Sequence, residues 1–149
     1  MHRILLVAIA LLSACASRGS PTASPASSEQ VITARIVSMN SVMPRLAGTI
    51  TMRATDEDTY SVSFELRGGR DGQMEWAVRP GRCGMGVSVP ENDVGGRDAY
   101  RPIRFNPDGE THTNVKLRAR LPDELLHVDL MNDVGRRQNI VACGMLGER

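Results

Sequence analysis

From Val31 onward, apolar side chains recur at every second position rather than at every third or fourth. Tyr60, Val62, Phe64 and Leu66 alternate with Ser61, Ser63, Glu65 and Arg67. Val115, Leu117, Ala119 and Leu121 alternate with Asn114, Lys116, Arg118 and Arg120, and Leu126, Val128 and Leu130 alternate with His127, Asp129 and Met131. Each run predicts a strand with one buried and one solvated face, as antiparallel sheets have. Weaker runs of the same kind fall at 31–38, 48–54, 74–79, 85–89, 101–105 and 140–145. Turn-forming clusters separate them, among them Gly68-Gly69-Arg70-Asp71-Gly72, Pro80-Gly81, Gly95-Gly96 and Pro107-Asp108-Gly109. No long segment has a helical period. The pattern predicts an all-β fold, a Greek-key β-sandwich or flattened barrel of about eight strands, over residues 31–149. The glycine-rich loops read as turns, because no strand–loop–helix context surrounds them.

The first 30 residues follow different rules. Arg3 precedes an apolar run from Ile4 to Leu12 that is too short to span a bilayer as an anchor. Leu12-Ser13-Ala14-Cys15 then has the form of a bacterial lipobox, in which small residues admit a peptidase and a thiol accepts the lipid. An ordinary signal peptide with an incidental cysteine is the plainer alternative. Hydrophobic length, small residues and Cys coincide, which favours lipidation at Cys15 after removal of residues 1–14. Several acyl chains would hold the protein at a membrane, where one alone is marginal. Ala16, rather than Asp, follows the cysteine, so the expected destination is the outer membrane of a bacterial envelope, facing the periplasm. Residues 15–30 contain Ser, Ala and Pro but no apolar side chain larger than Ala after the cysteine. Such a tract cannot bury enough surface to offset its ordering entropy and reads as a flexible linker.

Composition narrows the functional classes. The 149 residues suit one domain, and 18 basic against 17 acidic side chains leave no basic footprint for nucleic acid. Lys116 is the sole lysine, so arginine carries the positive charge. Arg79 and Arg82 lie near Cys83, and Arg136 and Arg137 lie near Cys143. If the two cysteines bond, these arginines could gather into a patch for an envelope polyanion or an envelope protein, since guanidinium groups fork onto carboxylate and phosphate. Pairing of the same arginines with the acidic residues is the simpler reading. A Cys83–Cys143 disulfide is expected on its own account, as the even pair left after lipidation in an oxidising compartment. No nucleophile elbow, phosphate loop or zinc-finger spacing is present, so no catalytic residues and no cofactor are assigned.

The run Val141-Ala142-Cys143-Gly144-Met145-Leu146-Gly147 resembles the ending of copper/zinc superoxide dismutases, where Ala-Cys-Gly and an apolar pair precede Gly. Gly48-Thr49-Ile50-Thr51-Met52 and Tyr60 to Leu66 resemble early strands of that family. Tyr100-Arg101-Pro102 and Asp108-Gly109 resemble the middle of superoxide-dismutase-like and chordin-like bacterial domains. The resemblance implies a β-sandwich and a bond from Cys143 to Cys83. It also implies where metal ligands should stand, and there this sequence departs from the family. Ala77 and Arg79 occupy the positions of a His-x-His pair, Met131 that of a later ligand, and Ile140 that of an anion-guiding arginine. Only His112 and His127 remain after signal removal, too few for a bridged copper–zinc centre.

The expected role is therefore non-enzymatic: a membrane-anchored binding or structural module. The alternative is a diverged copper-handling site using His127, Met131 and His112. In that view His127, Asp129 and Met131 share one strand face, although a solvated sheet face explains the same row.

Overall fold

The structure is a computed structural model that describes residues 30–39, 41, 43–84, 90–134 and 137–147. The lipobox, Cys15, the linker up to residue 29, the run 85–89 and Arg136 lie outside the described residues.

Eight strands follow one another: β1 (Val31–Ser38), β2 (Ala47–Asp56), β3 (Thr59–Arg67), β4 (Gly72–Pro80), β5 (Ile103–Phe105), β6 (Glu110–Arg118), β7 (Leu126–Val134) and β8 (Arg137–Met145). They form a single antiparallel sheet in the order β5-β4-β7-β8-β1-β2-β3-β6. The two outer strands, β5 and β6, are joined by a short turn and meet, so the sheet curls into a nearly closed barrel. The chain leaves β3 and passes over two strands, β6 and β5, to re-enter at β4, and leaves β6 and passes over β5 and β4 to re-enter at β7. These two crossings make the Greek key. The expected all-β, Greek-key fold of about eight strands is the observed one.

Alternation builds the interior as expected. Tyr60, Val62, Phe64 and Leu66 point inward from β3, and Leu126, Val128 and Leu130 from β7. Trp76 on β4 sits at the centre, edge-on to Phe64 with centroids 4.9 Å apart and to Tyr100 at 4.8 Å. Such pairs add roughly 1 kcal/mol each beyond the area they bury. The buried indole donates its N–H to the Arg101 carbonyl at 2.8 Å, which satisfies its single polar atom.

Two boundaries differ from the sequence reading. β6 starts at Glu110 rather than Asn114, because the Pro107-Asp108-Gly109 turn returns the chain directly into the ladder. Gly109 has a φ of 76°, and a Cβ there would meet the Gly69 carbonyl oxygen at 2.6 Å. β6 ends at Arg118, and Ala119 and Leu121 keep the alternation beyond it, with the Ala119 N–H still donating to the Asp58 carbonyl at 3.0 Å. β5 is three residues long and covers only the first part of β4. The remainder of that edge is closed by described residues between β4 and β5, 81–84 and 90–102, called the strap below.

Candidate functional site

β4, β7 and β8 lie side by side in a fixed register. Arg79 stands opposite His127 and Ala77 opposite Asp129; across β7, His127 faces Met145 and Asp129 faces Cys143. Period two sends Leu126, Val128 and Leu130 into the barrel and His127, Asp129 and Met131 to its outside. The sequence reading places that outer row in water. Instead His127 is 5 %, Asp129 1 % and Met131 2 % exposed.

The strap causes this burial. Gly81 N–H donates to the Leu125 carbonyl at 2.8 Å, and Val94 N–H to the Val78 carbonyl at 2.9 Å. The Tyr100 hydroxyl donates to the Val94 carbonyl at 2.5 Å, with the Val78 carbonyl at 3.4 Å. Burial pushes the Tyr100 phenol up to about 12, against the lowering effect of its backbone bond. Gly95, at φ 82°, lets the strap pass against the end of β6, where a Cβ would lie 2.7 Å from that of Ala119. A covalent tie completes the cover: Cys83 and Cys143 form the expected disulfide, with Cα atoms 5.7 Å apart.

Beneath the strap lies one buried polar cluster. Arg79 Nε donates to Asp93 Oδ1 at 2.6 Å, one Nη to Asp129 Oδ2 at 2.8 Å and the other to the Met131 sulfur at 3.3 Å. Asp93 comes from the strap and Asp129 from β7, so one guanidinium clamps strap to barrel. The three ion-pairing side chains are nearly sealed from solvent. Removing charges from water costs several kcal/mol each, and only this pairing offsets it. Asp129 Oδ1 is buried without a hydrogen-bond partner among protein atoms.

His127 closes the cluster. Its Nδ1 lies 3.1 Å from the Gly81 carbonyl, an acceptor, so Nδ1 carries the proton. Nε2 then points at Asp129 Oδ2, 3.5 Å away. Two carboxylates around one guanidinium leave a formal charge of minus one, which a protonated imidazole cancels. The side-chain contact with Asp129 raises the His127 pKa above its ordinary value, outweighing the opposing effect of burial.

The structure places the proposed residues apart from one another. Arg79 is buried, with Nε and one Nη on buried acids and the other Nη on the Met131 sulfur, so it does not stand exposed beside Arg82. Arg82 is exposed beside the disulfide; Arg137 begins β8, and Arg136 lies outside the described residues. His112 is exposed on β6 opposite Glu65 and is separated from His127 by β5 and β4 in one direction around the barrel. The group His127, Met131 and His112 is therefore not assembled. Among the described residues, the His/Cys/Asp/Glu group able to share one ion is His127, Asp129 and Cys143, whose ligand atoms lie within 4.8 Å of one another.

The copper–zinc centre implied by the resemblance does not fit. At the matching positions Ala77 offers no ligand atom, Arg79 places a cation, and the Met131 sulfur is engaged by that cation. Asp93 had no sequence signal, since an acid in a turn-rich segment looks like a loop residue, and Tyr100 was marked only by the Tyr100-Arg101-Pro102 resemblance, with no role attached. Next to the cluster, a cavity of about 320 Å³ is lined by Glu75, Trp76, Asp93, Arg97, Asp98, Tyr100, Pro102 and Met131. It is an acid-rich recess that reaches the cluster through Asp93 and Met131. Comparison with models of known protein families and with curated protein sequences finds no match.

Proposed function

We propose that this chain is a lipid-tethered module of a bacterial cell envelope, anchored through Cys15, with a non-catalytic binding or structural role carried on a superoxide-dismutase-like barrel. The observation that carries the non-catalytic part is the Arg79 clamp. Where the resembling family would hold a redox metal, this chain has a guanidinium whose nitrogens are committed to Asp93, Asp129 and Met131. Those bonds fix the strap rather than leave ligand atoms open. A disulfide and a raft of strap-to-barrel hydrogen bonds suit a small domain that must stay folded outside the cell's reducing interior. The balance of 18 basic and 17 acidic side chains gives no basic footprint for nucleic acid, and the proposed partner is an envelope protein, or a polyanion met locally by exposed arginines such as Arg82.

The test has two arms. Labelled palmitate should enter the wild-type protein and be lost in Cys15→Ala, with release of the protein from the membrane fraction. The purified, disulfide-bonded domain should show no superoxide dismutation after incubation with copper and zinc. Stoichiometric copper with dismutase turnover would refute the non-catalytic reading, and membrane retention of Cys15→Ala would refute the tether.

A further inference from the structure

We infer that the disulfide caps a latent metal site: reduction of Cys83–Cys143 exposes a Cys143, Cys83, His127 and Asp129 set suited to a divalent ion of the zinc type. The inference goes beyond the tethered-module reading and does not depend on it.

Four observations carry it. First, His127, Asp129 and Cys143 already converge, with one ligand atom from each inside 4.8 Å. The convergence is built by register, since Asp129 faces Cys143 and His127 faces Met145 on adjacent rows of the same pair of strands. Second, the His127 tautomer is set for ligation. Its Nδ1–H is spent on the Gly81 carbonyl, so Nε2 is the nitrogen that points into the cluster and becomes a ligand when it gives up its proton. A backbone carbonyl behind a ligating imidazole is the usual outer-shell arrangement at metal sites. Third, Asp129 uses Oδ2 for Arg79 and holds Oδ1 buried without a hydrogen-bond partner, a negative oxygen that an ion would satisfy. Fourth, the segment bearing Cys83 has ties other than the disulfide. Gly81 N–H bonds the Leu125 carbonyl, and Cys83 N–H bonds the Met145 sulfur at 3.4 Å. Both contacts hold Cys83 near Cys143 after the S–S bond is cut.

The chemistry balances. A dithiol reductant attacks the disulfide, passes two electrons and two protons to Cys83 and Cys143, and leaves as its own disulfide. The incoming divalent ion then displaces the two thiol protons and the His127 Nε2 proton to solvent and binds both thiolates and the imidazole. Its two positive charges are matched by the two thiolates, and loss of the imidazole proton leaves the buried cluster at a formal charge of minus one. Two sulfurs, one imidazole nitrogen and one carboxylate oxygen form a four-ligand set that suits tetrahedral zinc. In the disulfide-bonded state neither sulfur is a thiolate, and the site is closed.

The experiment uses the full mature chain, disulfide-bonded or reduced with a phosphine, titrated with cobalt(II) and then zinc. Retention of the barrel is followed by Trp76 emission and far-ultraviolet circular dichroism. The reduced chain is expected to bind one cobalt with the visible bands of a tetrahedral site and a sulfur-to-cobalt charge-transfer band, all bleached by one equivalent of zinc. The disulfide-bonded chain is expected to show none of these. Asp129→Asn and His127→Gln should weaken cobalt binding at least about tenfold. Cys83→Ser removes the disulfide without touching β7 or β8, and should give a charge-transfer band of about half the intensity, from one remaining thiolate. The inference is overturned if the reduced, folded chain binds no cobalt, if the disulfide-bonded chain binds equally, if His127→Gln binds unchanged, or if reduction unfolds the barrel.

Discussion

Arg79 and Asp129 meet as a diagonal pair across β4 and β7, 2.8 Å apart, with side chains 5 % and 1 % exposed. A second acid, Asp93, reaches the same guanidinium from the strap at 2.6 Å. Substituting Arg79 by Met leaves two carboxylates under the strap with only the His127 imidazolium to offset them. Breaking a buried pair by removing one partner costs roughly 3–5 kcal/mol, so urea unfolding of Arg79→Met should show a loss of that size. Adding Asp93→Asn and Asp129→Asn to Arg79→Met should recover much of it, because the uncompensated charges are gone. An Arg79→Met protein as stable as wild type would mean that the acids are hydrated and the strap is open.

His127 makes stability depend on pH. Its folded pKa is raised, chiefly by Asp129, so the protonated imidazole favours the folded state. That contribution is fully present below the unfolded value of about 6.5 and is lost as pH rises through the folded value. In the disulfide-bonded protein, the difference in urea midpoint between wild type and His127→Gln should therefore shrink as pH rises from about 6.5 through the raised folded value. A difference that stays constant from about pH 5 to pH 9 would show that His127 does not titrate with folding.

Tyr100 sets the corresponding limit on the alkaline side. Its phenol is pushed up to about 12 by burial, so the neutral form is the one the fold accepts. The associated stability is complete below the unfolded value of about 10 and is lost as pH climbs towards the folded one. Ultraviolet titration of wild type against Tyr100→Phe should assign to Tyr100 a step near the top of the accessible range. The same substitution removes the donor to Val94 and should cost about 1 kcal/mol at neutral pH.

The disulfide closes a separation of 60 residues. On the chain-entropy account a loop of that length is worth about 4 kcal/mol. The double variant Cys83→Ala, Cys143→Ala should lose stability of that order in urea unfolding while keeping the β-sheet circular dichroism signal. A loss well under about 1 kcal/mol would place the stabilisation in the other strap contacts.

Much of the fold was legible because one-sided burial leaves a mark at every second residue. Tyr60 to Leu66 and Leu126 to Leu130 read as strands with inward rows, and their inward rows are the observed core. The Pro-Asp-Gly and Gly-rich turns read correctly for the same local reason, that few residues accept those backbone angles. Cys83 and Cys143 paired as expected from their number. The cluster was not legible. His127, Asp129 and Met131 look identical in sequence whether their face meets water or a covering segment.

The amino-acid order alone thus determined which positions alternate, where the chain turns, and that the barrel would be all β, because these depend on each residue and its near neighbours. Whether Arg79 faces solvent or two acids was decided only by the tertiary structure. Asp93 lies 14 residues from Arg79 and Asp129 lies 50. A charge can be buried only where compensating partners arrive, and here their arrival depends on a strap that folds back over β4 and β7. Local pattern carries hydrophobicity; the pairing of distant charges is a property of the closed chain.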